Sequence, residues 1–555
     1  MVTLHAYVLR ELLKSFALAV PALAALFTMA GGLYDVLRFE SVTTADLFTM
    51  LPMLLPVAVT ITMPIAALLA TTLTYGRLAA DNEFLACRAA GINIHRLFLP
   101  AMLLAVFVAL FTAFSLNALM PRLIKEVEYF ARANIRDFAF QRLRRRGYVH
   151  YGRPGREQYL LTAERVLDVS PDALRRKGFP PPGRDLGYFW VQRPTILLID
   201  KQGGLKRFSA ADGALCQFER RGTEVFVTAY VNEARDYETG TAAGHGRIRQ
   251  QKIGPYPAPI RFPVRPAMQD LTTLRRWRDA PWSAPDLARK LNAFLTRLRC
   301  QVLYAEASRL LGAGGRLVLT SDEGLRYELT AGSCRLRRRE VELEDVVIQT
   351  GGARRPRRYE APRARLSAET TMGDEVRIVV QLEGTAQEPV REFHPRAANP
   401  QTALTKETLT LDGLLLPDFV WRRTADWTPA AVLDPIFELP IDGELAEQRE
   451  ALWREADRLR RKIRGIVHFR PAAAASPLVT VLMGAALGVI FRGGRALSAF
   501  GLACVPLFTV VLLTTTGKQL TESASGQLIG PLVIWGGLAL VAVADGVLLL
   551  RGVRR

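Results

Sequence analysis

The sequence predicts a membrane protein: an α-helical 3+3 transmembrane bundle with a large extracytoplasmic, mainly-β insert that divides into two β-subdomains. Three observations predict it. Six uncharged apolar stretches fall within residues 1–121 and 471–555, and none falls between. The middle of the chain alternates β-branched and turn residues in the manner of strands. The short connections between apolar stretches hold their basic residues on one side of the membrane.

Composition agrees with that segregation. The chain has 555 residues, 73 Lys+Arg against 53 Asp+Glu, and a net charge of +20; 49% is hydrophobic and 23% charged. High charge and a positive mean hydropathy of +0.11 coexist only where the apolar residues are set apart. A disordered chain, a disulfide miniprotein and a single soluble domain are excluded. The basic balance points to anionic partners: lipid headgroups, anionic glycolipids or nucleic acid. Five cysteines with no C-x-x-C, and six histidines without ligand spacing, predict neither a metal site nor a disulfide framework. Buried free thiols are expected, with one bridge among Cys216, Cys300 and Cys334 left open for an oxidising compartment.

A helix needs about 20 apolar residues to cross the hydrocarbon core. The candidate spans are residues 15–34, 47–76, 97–121, 471–491, 496–517 and 523–544. The first is too long for a secretory signal and lacks a polar cleavage region, so it stays as a helix. The second exceeds one straight span and carries Pro52, Pro56 and Pro64, which predicts a tilted or kinked helix with an interfacial lead-in, a functional hinge being the alternative. Gly484 and Gly488 form a G-x-x-x-G suited to close helix contact. With the N-terminus in the cytoplasm, the inside holds Arg10, Lys14, Arg77, Arg88, Arg96, Arg492, Arg495, Arg551, Arg554 and Arg555. The short outside loops hold only Arg38 and Lys518. Both termini are then cytoplasmic, and residues 122–470 lie outside.

Within that insert, residues 195–200 and 223–231, then 316–319, 325–330, 341–349 and 376–382, read as strands, with turns at Gly203-Gly204 and Asp212-Gly213. Residues 285–311 read as a helix, with Leu287, Leu291, Phe294, Leu298 and Val302 on one side. The insert therefore divides into β-parts at about 147–266 and 315–388 joined by a helical connector at about 285–311. A charged amphipathic helix over 444–466 leads into the fourth span. Arginine clusters at 142–146, 335–339 and 354–358 permit nucleic-acid binding by composition. The extracytoplasmic placement argues against it, leaving solvated strand faces or contacts with phosphorylated headgroups.

The inside loop over 77–96 carries the most information. Asp81 is placed as the N-cap of a short helix, with Asn82 and Glu83 in its first turn. Phe84, Leu85 and Ala89 form an apolar side, and Gly91 ends the helix. Such a helix between two spans can lie in a groove of a partner, although an ordinary interfacial helix has the same pattern.

The wording of this loop resembles the second-to-third span loop of the LptF/LptG permease family, the membrane subunits of the lipopolysaccharide exporter. Its residues are Gly76-Arg77-Leu78, Asp81-Asn82-Glu83, Arg88-Ala89 and Gly91-Ile92. Residues 7–14 look like the family's start. The basic helix at 458–464, Pro477, Gly484, Gly488 and the turn Arg492-Gly493-Gly494-Arg495 resemble its end. The likeness covers 1 to about 135 and 455–555.

The resemblance implies a periplasmic β-jellyroll between the third and fourth spans of a bacterial inner-membrane protein. The insert here is much longer than the family's single jellyroll; its second β-part is similar in pattern to the bridge proteins of the same export system. The chain is expected to be no enzyme, with no catalytic residues and no cofactor. Its nearest approach to a phosphate-binding loop, Thr515-Thr516-Gly517-Lys518-Gln519, has Leu512 where the first Gly belongs and Gln519 in place of Ser or Thr. By resemblance, a separate cytoplasmic ABC ATPase subunit receives the loop. Arg77, Asp81, Glu83, Phe84, Arg88 and Gly91 are its candidate coupling residues, and Glu83 and Arg88 the polar contacts. A second permease chain, identical or paralogous, and periplasmic bridge proteins complete the expected partners, with no nucleic acid. The substrate implied is lipopolysaccharide or a related anionic multi-acyl lipid. Arg38 and Lys518, at outer ends of spans, are candidate headgroup contacts or snorkelling anchors. A membrane-anchored envelope scaffold, and a permease for lipoprotein release or mechanotransmission, are the competing readings.

Overall fold

The computed structural model describes residues 2–29, 44–151, 158–169, 186–199, 204–221, 224–238, 246–257, 265–321, 324–337, 340–351, 357–370, 376–385, 387–393, 403–433, 443–491 and 496–552. It divides the chain into two compact units. The first comprises 1–275 and 460–555, the second 276–459.

The first unit contains the apolar helices. Uncharged runs form helices because only internal hydrogen bonding satisfies the backbone in lipid. Helix α1 (Val2–Phe27) starts polar and turns apolar after Lys14; the expected first span is helical as far as it is described. Helix α2 (Thr44–Ala80) passes Pro52, Pro56 and Pro64 as one element. Thr60, Thr62, Thr71 and Thr72 return their hydroxyls to carbonyls four residues earlier, which satisfies them inside an apolar bundle. Helix α3 (Glu83–Ala89) and helix α4 (Ile94–Leu97) form the loop. Helix α5 (Leu99–Phe114) continues through a π-turn at Ser115–Leu119 into α6 (Met120–Ala133), and α7 (Ile135–Arg146) follows. Five helical segments among the described residues are long and apolar enough to cross a membrane: Leu55–Ala80, His95–Phe130, Gly443–Ile490, Ser498–Glu522 and Ile529–Leu550.

An antiparallel sheet follows in the same unit. It contains β1 (Tyr148–Tyr151), β2 (Gln158–Thr162), β3 (Arg165–Leu167), β4 (Tyr188–Gln192), β5 (Thr195–Ile199), β6 (Leu205–Ala210), β7 (Gly213–Arg221), β8 (Glu224–Glu238) and β9 (Gly246–Pro257). Strand β8 is the stem of a fork. β9 pairs along one edge; the other edge carries β7-β4-β3 at one end and β6-β5-β2-β1 at the other. Between the branches Phe189, Val191, Cys216, Phe218 and Val225 pack with Val149 and Leu161, and α7 covers them with Ile135, Phe140 and Leu143.

The second unit contains α8 residues from Arg276 onward (α8 is Leu271–Asp279), helix α9 (Pro285–Gly312) and nine further strands. These are β10 (Leu317–Ser321), β11 (Arg326–Thr330), β12 (Ser333–Leu336), β13 (Glu340–Gly351), β14 (Arg358–Thr370), β15 (Val376–Glu383), β16 (Val390–Phe393), β17 (Ala403–Lys406) and β18 (Thr408–Leu415). Pairing runs β13-β11-β10-β18-β15-β14 and returns to β13, so six antiparallel strands close a ring. The strands therefore continue past residue 388, and β18 is the one that closes the barrel. One face of the ring is buried in a single apolar cluster that includes Leu319, Leu343, Ile348, Leu366, Val380 and Leu414, to which α9 adds Leu303, Ala307 and Leu311. The ring of pairings is closed, which distinguishes it from the forked sheet, and its apolar cluster is shared with α9. Its arginines pair with carboxylates, Arg337 with Glu342 and Arg358 with Glu360, as on a solvated strand face.

Helix α10 (Gly443–Ile490) fuses the charged 444–466 segment and the fourth span into one element; α11 (Ala496–Glu522) and α12 (Ile529–Val547) follow. The Gly484/Gly488 pair makes a real close approach. A Cβ on Gly484 would stand 2.6 Å from Leu68 Cδ1, and one on Gly488 2.8 Å from the Thr72 carbonyl oxygen. The turn Arg492–Arg495 lies outside the described residues.

Candidate functional site

The elbow between α2 and α5 is built from the inside outward. Tyr75, on the last turns of α2, is fully buried and stacks on Phe98 at 5.4 Å with rings nearly parallel. Its hydroxyl donates to the Leu97 carbonyl at 2.8 Å, which ties the far side of the elbow to α2. Phe84 completes the cluster, 3% exposed, with ring centroids 6.1 Å from Tyr75 and 6.2 Å from Phe98. Phe84 therefore roots α3 in the core and does not face outward. The apolar residue that does is Leu85, 54% exposed. Only the direction of each Cβ on the folded helix separates these neighbours, so sequence periodicity over so short a helix did not single out Leu85.

The start of α3 differs from expectation by one residue. Asn82, not Asp81, occupies the capping position: its carbonyl accepts from the Ala86 amide at 3.0 Å. Asn82 adopts φ +58°, a left-handed conformation that asparagine tolerates better than most residues, and Asp81 sits in the preceding turn. At the other end Gly91 has φ +75°, and the Ile92 amide reaches back to the Cys87 carbonyl at 3.0 Å. That six-to-one bond is a Schellman termination, open to glycine and strained for any residue with a Cβ. Asn93 Oδ1 then caps α4 by accepting from the His95 amide.

Charged groups fasten this elbow to the polar start of α1. Tyr7 donates its hydroxyl to Glu83 Oε1 at 3.2 Å. Arg77 donates to Glu11 Oε2 at 2.9 Å, and Lys14 to Glu11 Oε1 at 2.8 Å. Lys14 and Arg77 hold the Glu11 carboxyl below its ordinary range, and the Glu83 charge raises the Tyr7 phenol. A cavity of about 370 Å³, lined by Ser15, Leu73, Thr74, Gly76, Arg77, Ala80 and Phe491, opens beside Arg77. Arg88 belongs to the backbone of α3; its side chain lies outside the described set.

Arg38 lies outside the described residues. Lys518 holds its ammonium 5.2 Å from the Phe469 ring centroid, at cation–π distance. Residues 515–519 are interior to α11, so their amides serve the helix and cannot wrap a phosphate. Among the described residues no three His, Cys, Asp or Glu side chains converge as metal ligands.

Two residues outside the predicted site stand out. Arg470, 4% exposed on α10, donates to the carbonyls of Ala267 at 3.0 Å and Gln269 at 2.7 Å and to Asn117 Oδ1 at 3.4 Å. Asp545, 4% exposed on α12, has an Oδ1 with no partner among the described residues. Each stands one residue outside the uncharged run that defined its span, and that adjacency was the available signal.

Residues 6–161 match the family described as lipopolysaccharide export system permease LptF/LptG. The match begins in α1, takes in the elbow and α7, and ends in β2. No curated protein matches the chain.

Proposed function

We propose that this chain, an LptF/LptG family permease by the match over 6–161, is the membrane subunit of an ABC-type exporter. It would extract lipopolysaccharide or a related anionic multi-acyl lipid from the inner membrane and hand it to a periplasmic β-path. The observation that carries the reading is the elbow: α3 is rooted by buried Phe84 while Leu85 faces outward and Glu83 stays partly exposed. A short helix rigidly joined to two spans transmits a push from a partner seated on it.

The chain supplies no nucleotide site of its own in this reading, so a separate cytoplasmic ATPase drives it, with a second permease chain completing the cavity. The ten-to-two distribution of short-loop charges supports cytoplasmic termini and elbow, with the insert in the periplasm. Acyl chains need an apolar lining, since each CH₂ exposed to water costs about 0.8 kcal/mol. The forked sheet has an apolar interior, and among the described residues its pairings do not close into a ring. The second unit's barrel is closed, with its apolar residues buried in one cluster shared with α9. We therefore assign the lipid path to the first sheet and a docking role toward bridge proteins to the barrel.

Gentle-detergent purification with identification of bound proteins tests this. A Glu83→Lys chain should insert normally and lose the ATPase subunit that accompanies the wild type. Retention of that subunit would remove the coupling assignment, and a wild type with no ATPase would favour an envelope scaffold.

A further inference from the structure

Glu83 is aimed by a residue far from it in sequence. The Tyr7 hydroxyl, 76 positions earlier, donates to Oε1 at 3.2 Å. A phenol is a neutral donor, so it fixes the carboxylate without cancelling its charge. Arg77 is held likewise by Glu11, whose other oxygen is taken by Lys14. Beneath these bonds Val8 and Leu12 of α1 pack in the same buried cluster as Leu78, Ala79 and Phe84. Tyr7 and Glu11 lie four apart, and on a helix that spacing places them on one face.

We propose that Tyr7 and Glu11 are positioning residues, which orient the Glu83 carboxylate and the Arg77 guanidinium toward the cytoplasmic ATPase. The inference rests on the coupling role given to the elbow. A partly exposed carboxylate on a helix of about two turns samples several rotamers, and a partner that binds one of them pays for the selection in affinity. Tyr7 narrows the choice beforehand. The polar start of α1 thereby becomes part of the docking site, although its bonds are made to its own chain.

The test is a double-mutant cycle on the full chain co-purified with the ATPase subunit that accompanies the wild type, titrating that subunit back onto the stripped permease. Tyr7→Phe keeps the ring and removes one donor; it should weaken association by about three- to tenfold, the range of one ordinary hydrogen bond at an exposed position. In a Glu83→Gln background the same change should have little further effect. Glu11→Gln should weaken association, and in an Arg77→Gln background the same change should have little further effect. Thermal melting of each permease alone separates misfolding from misorientation, because a positioning role predicts unchanged melting for Tyr7→Phe.

If Tyr7→Phe binds like wild type while Glu83→Gln binds weakly, the positioning role is wrong and the coupling role stands. Equal losses from Tyr7→Phe in both backgrounds also overturn the positioning role. If Glu83→Gln itself binds like wild type, the coupling role fails and this inference fails with it.

Discussion

Arg470 on α10 donates to the Gln269 carbonyl at 2.7 Å, joining positions 201 residues apart. The same guanidinium reaches Ala267 and Asn117, so one buried fork holds the segment after the forked sheet against two helices of the bundle. Arginine suits the task because its donors diverge in a plane and remain charged. Arg470→Ala should strip two buried carbonyls of their donor and cost about 2–4 kcal/mol. Arg470→Lys should recover only part, since an ammonium cannot span both carbonyls. Thermal unfolding of the detergent-solubilised chain reads this directly, and a wild-type melting curve for Arg470→Ala would refute the clamp.

Asp270, next to this clamp, caps α8. It accepts from the Thr272 hydroxyl, from the Thr273 amide at 3.2 Å and hydroxyl at 2.8 Å, and pairs with Lys125 at 3.4 Å. The Thr272 bond foremost, then those from Thr273, hold its carboxyl well below the usual carboxylate range. A depressed folded pKa contributes stability that is complete above the unfolded value, near 3.8, and lost as pH falls through the folded one. Asp270 should therefore give the melting temperature no pH dependence between pH 7 and 5 and should make it fall below about pH 4. Asp270→Asn should be less stable at neutral pH and show a shallower acid decline. An unchanged acid limb would reject the assignment.

The apolar spans and the elbow were legible in the sequence because their physics is local. A helix in lipid needs an unbroken uncharged run, and a short helix ending at Gly91 announces itself by the left-handed residue it requires. Contacts across the chain were not legible. Asp81 has the better capping side chain, yet the turn places Asn82 in the left-handed position. Phe84 and Leu85 are equally apolar in sequence, and only Tyr75 and Phe98 decide which is buried. The strand at 408–415 alternates Thr and Leu, but its partners are β10 and β15, almost a hundred and some thirty residues away. Ring closure is a property of those pairings and not of any segment.

The glycines of α10 should differ in tolerance. A Cβ at Gly484 meets the Leu68 methyl and the Thr72 hydroxyl, side-chain atoms with some freedom. At Gly488 it meets backbone, the Thr72 oxygen at 2.8 Å and the Gly76 nitrogen at 3.0 Å. Gly488→Ala should therefore separate α10 from α2 and cost about 1–3 kcal/mol, with Gly484→Ala costing less. The melting temperatures of the two variants give the order, and a reversed order would mean that α2 yields where its backbone is closest.

The native cysteines offer a test of polarity. All five are free thiols in this structure, Cys216, Cys300 and Cys334 among them. Burial pushes the Cys216 and Cys300 thiols up to about 12, which keeps them protonated and slow to react. Cys334 and Cys87 are half-buried, the first on β12 and the second on α3. With the insert outside and the elbow inside, a membrane-impermeant maleimide applied to spheroplasts should label Cys334 and spare Cys87. Permeabilisation should then expose Cys87 while Cys216 and Cys300 stay unlabelled until the chain is unfolded. Labelling of Cys87 in intact spheroplasts would put the elbow on the same side as the barrel, out of reach of any cytoplasmic ATPase.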